Sequence, residues 1–103
     1  MTYNFKGKTA VVTGASRGIG AAIVRTLAAD GAKVALVART GDAIRKLAAE
    51  IGHGAVAIEA DMSSTDGWKG AAEGALKALG DIDILVNNAG VSAAQALGKV
   101  TAE

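Results

Sequence analysis

Four short apolar runs divide the chain: Thr9 to Val12, Val34 to Ala38, Ala55 to Ala60 and Ile84 to Val86. The first two and the last are nearly continuous rather than alternating, the pattern of parallel strands covered on both faces. Between them the apolar spacing changes to that of helices. Ile19, Ile23 and Leu27 open the first helical pattern, and the helix predicted over Gly20 to Asp30 stops at Gly31, a suitable left-handed terminal glycine. Asp42 to Ile51 places Ile44, Leu47, Ala48 and Ile51 at i, i+3, i+4 and i+7, a core-facing stripe that ends at Gly52. Thr65 to Leu79 puts Trp68, Ala72, Ala75 and Leu79 on one face, with Ser64 as its cap and Gly80 as its stop. Trp68 is therefore expected in the core. Gly67, Gly70 and Gly74 weaken this third helix, each costing about 1 kcal/mol against alanine.

The resulting order, β-α-β-α-β-α-β, predicts an α/β architecture: a parallel sheet of about four strands wound by right-handed crossovers. One domain spans 1–103, without linker, repeat or low-complexity segment. Thr101-Ala102-Glu103 resembles the first turn of a further helix, so the domain reads as partial.

Composition narrows the function. Tyr3, Phe5 and Trp68 are the only aromatic residues, so alanine packing must supply much of the core. The 11 basic and 10 acidic residues are dispersed, and no basic block suggests nucleic acid or a membrane surface. With no cysteine, disulfides, thiolate metal sites and a cysteine nucleophile are excluded, and a reducing, cytoplasmic setting is expected. No His, Asp and Glu constellation has metal-ligand spacing. No apolar run approaches the roughly 20 residues that cross a bilayer, and the first residues lack the apolar stretch of a secretion signal.

The densest chemistry lies in Thr13-Gly14-Ala15-Ser16-Arg17-Gly18-Ile19-Gly20, between the first strand and the first helix. Glycine permits positive φ and leaves no Cβ between main chain and ligand. The free N–H groups of the following helix, at its positive dipole end, then face an anion. The spacing is G-x-x-x-G-x-G, not the commoner G-x-G-x-x-G. Ligands of such sheets bind beyond the C-terminal strand ends. The second strand is followed by Arg39-Thr40, where an NAD-selective site would carry an acid. Arg17 and Arg39, with Ser16, suit a ribose 2′-phosphate, since guanidinium offers planar, charge-assisted donors; the competing reading makes both solvated loop charges. Asp61-Met62 follows the third strand, and Asp61 has two open roles: accepting from an adenine amino group, or turning the loop with Ser63 and Ser64. Asn87-Asn88-Ala89-Gly90 follows the fourth, as a loop-holding pair beside residues small enough for ligand approach, or as a plain turn. His53, between Gly52 and Gly54, reads as an exposed turn residue, and Asp81 and Asp83 lie at the wrong end of their strand.

Thr13 to Gly20, Asp61 and Asn87-Asn88-Ala89-Gly90, in that order, resemble the N-terminal half of the short-chain dehydrogenase/reductase family, nearest its carbonyl reductase and 3-oxoacyl reductase types. The resemblance covers essentially the whole chain. It implies a Rossmann-like three-layer fold with strand order 3-2-1-4 and an NADP(H) site, NAD(H) being less favoured. Gly14, Gly18, Ile19 and Gly20 would lie on the pyrophosphate, with Ser16, Arg17, Arg39 and Thr40 near the 2′-phosphate. Asp61 and Met62 would lie on adenine, and Asn88, Ala89 and Gly90 along the ribose and nicotinamide side. The family is longer and relies on a downstream serine and a Tyr-x-x-x-Lys pair. Here the only tyrosine is Tyr3, with Gly7 four residues on, so no position takes those roles. The expectation is a cofactor-binding portion of an oxidoreductase, inactive alone. The alternatives are half of an enzyme completed by a second chain, such as a C-terminal half, and a non-catalytic nucleotide-binding or interaction module. In the full family fold a fifth strand lies beside the fourth, so the resemblance also implies that the far edge of Ile84 to Val86 would be unpaired and apolar, which predicts self-association there.

Overall fold

A computed structural model of the chain describes residues 5–16 and 18–88. Its elements run β1 (Thr9–Thr13), α1 (Gly18–Ala29), β2 (Lys33–Ala38), α2 (Gly41–Ile51), β3 (Val56–Glu59), α3 (Thr65–Leu79) and β4 (Ile84–Asn87). The strands form one parallel sheet in the order β3-β2-β1-β4, the Rossmann-like order expected. Every boundary lies within two residues of the sequence expectation.

Strand alternation divides the core into two layers. Ala10, Val12, Val34 and Leu36 point toward α1 and α2, where they meet Val24, Leu27, Ile44 and Leu47. Val11, Ala35 and Val37 point the other way, against Ala71 and Ala75 of α3. β1 and β2 are covered on both faces, which is why their sequences are continuous apolar runs.

The helix ends follow local chemistry. After α1, Gly31 (φ 101°) donates to the Ala28 carbonyl and Ala32 to the Leu27 carbonyl, both at 3.0 Å, a complete Schellman closure. Ser64 Oγ accepts from the Gly67 N–H at 2.9 Å and caps α3.

Two side chains depart from expectation. Ile19, assigned by periodicity to the apolar stripe of α1, is 69% exposed; the buried residues of that helix are Gly20, Val24 and Leu27. Trp68, expected in the core, is 37% exposed, and Ala72 is exposed too. The face α3 presents to the sheet is rotated to Ala71 and Ala75, with Gly67 and Gly74 beside them. A Cβ on Gly74 would meet Ile58 at ordinary contact distance, whereas a Cβ on Gly67 would collide with the Asp61 carbonyl oxygen of the β3–α3 loop. The start of α3 therefore lies against that loop only because Gly67 lacks a side chain.

Candidate functional site

All four strands deliver their C-terminal ends to one edge of the sheet, and there the chain changes from apolar to polar. From β1 the chain enters the glycine loop. Gly14 (φ 64°) and Gly18 (φ 61°) occupy left-handed backbone that a side chain would strain. Ala15 N donates to the Val37 carbonyl at 3.2 Å, carrying the loop one step along β2. On the other side Thr13, fully buried, places Oγ1 3.1 Å from Asn87 Oδ1 and 3.4 Å from the Val86 carbonyl. Asn88 Nδ2 donates to the Gly14 carbonyl at 3.0 Å. A Cβ on Gly20 would run into that same carbonyl and into the Asn88 amide. Loop, α1 and the end of β4 therefore close on one another only because Gly20 lacks a side chain.

Among the described residues the mouth of α1 is open: none has an atom within 4 Å of where a Cβ of Gly18 would stand, and Ile19 offers an exposed apolar side chain beside it. The first N–H groups of the helix have no carbonyl within the helix to bond. Among the described residues no side chain obstructs an anion approaching that main chain, and the helix dipole is in its favour. These are the features a dinucleotide diphosphate requires, so the residues present fit that group.

Arg39 and Thr40 are both exposed at the end of β2. Thr40 stands at the N-cap of α2 but its side chain makes no capping bond. Across the rim, Asp61 Oδ1 accepts from Ser63 N at 2.9 Å and from Ser63 Oγ at 2.6 Å. Ser64 Oγ donates to the Asp61 carbonyl at 3.2 Å. The loop-turning role of Asp61 is thus present. The Ser63 hydroxyl, then the Ser63 N–H, hold its carboxyl below the ordinary aspartate value; the Arg39 charge adds to them and slight desolvation opposes them. Met62, half-buried, packs on the α3 side of the core.

Of the residues expected at the site, Gly14, Ser16, Gly18, Ile19, Gly20 and Asn88 come together around the mouth of α1, and Arg39, Thr40, Asp61 and Met62 stand on the β2–β3 side of the same edge. Arg17, Ala89 and Gly90 lie outside the described residues. His53 is exposed in a turn at φ 52°. Asp83 lies at the opposite edge, where its Oδ2 accepts from Thr9 N at 2.9 Å and clasps the start of β1. Sequence reasoning missed one feature of the rim. Arg45 bonds Asp42 at 2.8 Å and approaches Glu59 at 3.6 Å. The available signals were the i,i+3 charge pair in α2 and an acid closing an otherwise apolar strand.

Among the described residues no helix is long and apolar enough to cross a membrane. The short chain dehydrogenase family model matches residues 8–103. An uncharacterised oxidoreductase of Methylorubrum extorquens is 44% identical over 102 residues, covering 95% of this chain and 41% of that protein. The 3-oxoacyl-(acyl-carrier-protein) reductase of Escherichia coli is 40% identical, covering 86% of this chain and 36% of the reductase. Among solved structures, the 3-ketoacyl-(acyl-carrier-protein) reductase of Brucella melitensis, complexed with NADH, superposes with a TM-score of 0.77 at 39% identity, over 80% of this chain and 34% of that one. The chain therefore spans well under half the length of these relatives. Its glycine loop, its sheet order and these matches agree: the chain belongs to the short-chain dehydrogenase/reductase family, of which it carries the N-terminal, dinucleotide-binding part.

Proposed function

We propose that this chain is the NADP(H)-holding part of a cytoplasmic oxidoreductase acting on a carbonyl or hydroxyl group. The observation that carries the reading is the open mouth of α1, held by Asn88 on Gly14, with an arginine where β2 ends. The N–H groups at Gly18, Ile19 and Gly20 bind the diphosphate. Arg39, with Ser16, Arg17 and Thr40, receives the 2′-phosphate through charge-assisted hydrogen bonds. Asp61 keeps its loop turn and offers its remaining carboxylate oxygen to the adenine amino group, with Met62 beneath. Asn88, Ala89 and Gly90 line the ribose and nicotinamide side. Bound there, the nicotinamide ring supplies hydride exchange with a carbonyl carbon. The acid that protonates the carbonyl oxygen is not provided within 1–103, whose only tyrosine is Tyr3, so the chain binds cofactor without turning over alone.

Titration with NADPH and NADH by calorimetry tests the assignment. NADPH binds more tightly, and Arg39→Asp reverses the preference, at a cost of about 1.5–3 kcal/mol for the lost charge-assisted contact. An NADPH-to-NADH ratio untouched by that substitution removes Arg39 from the site.

A second feature supports self-association, or pairing with a C-terminal half. Among the described residues β4 pairs only with β1, and Leu85 on it is 59% exposed. A strand edge with free main-chain groups and an apolar side chain recruits another chain. Light scattering at high concentration then reports a dimer or larger species; a well-behaved monomer overturns the idea.

A further inference from the structure

The surroundings of Arg39 hold more acid than base. Ala38 stands opposite Glu59 in the β2–β3 register, and Ala60 N donates to the Ala38 carbonyl at 3.0 Å, so the two strand ends leave the sheet side by side. Arg39 continues one and Asp61 the other. Asp42 follows three residues after Arg39, in the first turn of α2. Three carboxylates, Asp42, Glu59 and Asp61, thus share the rim with an arginine expected to grip an anion. Left unoccupied, they would compete for it.

None is left unoccupied. Asp61 is drawn into its own loop by Ser63. Arg45 takes the other two, with Nη2 2.8 Å from Asp42 Oδ1 and Nη1 3.6 Å from Glu59 Oε1. Gly41 leaves room for this arrangement, since a Cβ there would meet Glu59 Oε1 and Arg45 Nη1 and push these side-chain ends aside. Arg39 itself makes neither a hydrogen bond nor an ion pair among the described residues. These pairs are exposed, with side-chain accessibilities of 58%, 96% and 57% for Arg45, Asp42 and Glu59, so they contribute little to stability. Their consequence is electrostatic and local.

We propose that Arg45 is a positioning residue for the ribose end of the cofactor: by holding the Asp42 and Glu59 carboxylates, it keeps Arg39 available to an anionic 2′-substituent. This rests on the reading that Arg39 meets the 2′-phosphate. Without Arg45, Arg39 pairs with Glu59 or Asp42, and a phosphate must displace a carboxylate before it can bind.

The test has two arms, one without cofactor. In the first, the Nε–H resonance of Arg39 is followed by NMR in the parent, in Arg45→Ala, and in Arg45→Ala combined with Asp42→Asn and Glu59→Gln. Arg45→Ala moves the resonance and slows its exchange with water, because Arg39 has then become a carboxylate's partner, and removing the two carboxylates returns it to the parent position. An Arg39 resonance that ignores the loss of Arg45 overturns the proposal. In the second, NADPH and NADH are titrated calorimetrically. Arg45→Ala lowers the NADPH preference by roughly fivefold, the most that competition with one exposed ion pair supports, and leaves NADH affinity unchanged. Adding Asp42→Asn and Glu59→Gln restores the preference. If those changes restore nothing, Arg45 touches the phosphate itself and the proposal fails. A parent that binds both cofactors equally refutes the NADP(H) reading instead, and the Arg39 resonance still decides what Arg45 does.

Discussion

The Asn88 amide and the Gly14 carbonyl, 74 residues apart in the chain, meet at 3.0 Å and tie the end of β4 to the loop that follows β1. Gly20 lies under the same bond, with no space for a Cβ between its two partners. One hydrogen bond thus fixes the glycine loop, the first turn of α1 and the strand end to each other. Asn88→Ala removes the donor and leaves a half-buried carbonyl unsatisfied. The expected loss is about 1 kcal/mol of stability, read as a fall of about 4–8 °C in Tm for a domain of this size, together with weaker binding of a nicotinamide dinucleotide. Asn88→Asp is more damaging, since a carboxylate oxygen then faces the carbonyl. Thermal melts that coincide for parent and Asn88→Ala would show that the bond does not hold the loop.

The glycines of α3 separate into two kinds, and opposite substitutions expose the difference. Gly70 is exposed, with nothing near the position of its Cβ, so Gly70→Ala gains about 1 kcal/mol of helix propensity. Gly67 faces the Asp61 carbonyl, and Gly67→Ala forces the helix start away from the loop at a cost of about 1–3 kcal/mol. Urea midpoints should therefore fall in the order Gly70→Ala, parent, Gly67→Ala. The reverse order would mean that α3 presents a different face to the sheet.

Much of this architecture was legible in the residues alone, for physical reasons. Continuous apolar runs mark strands covered on both sides, and the change to helical spacing marks the crossovers, so element order and parallel winding followed directly. Ser64 and Gly31 announced their caps because capping is a short-range hydrogen-bond problem. What periodicity could not give was the roll of a helix about its axis. Ile19 and Trp68 fit an apolar stripe, yet α1 and α3 are turned so that glycines, not the largest apolar residues, meet the sheet and the loop. The glycine loop was legible as a candidate site, whereas its lock on Asn88 required the fold, because sheet order brings β1 and β4 together. The Arg45 pairs were hidden for the same reason: Glu59 reaches α2 only through the β2–β3 register.

The Asp61 turn makes stability depend on acid in a defined direction. Its folded carboxyl sits below the ordinary aspartate value, chiefly through the Ser63 hydroxyl and N–H and secondarily through Arg39. A depressed folded pKa means the ionised form is favoured by folding, so the contribution is fully present above the unfolded pKa. It is lost as pH falls through the folded value, which places the window below about pH 4. Denaturation of the parent and of Asp61→Ala across this range should therefore show a parent advantage that is constant near neutrality and shrinks in acid. Ser63→Ala, which removes the largest cause, should raise the folded value and so shrink the part of the advantage that titrates, and Arg39→Ala should shrink it less. A parent advantage that survived unchanged at pH 2.5 would mean that Ser63 does not prefer the charged carboxylate, and the turn would then be held by packing rather than by these bonds.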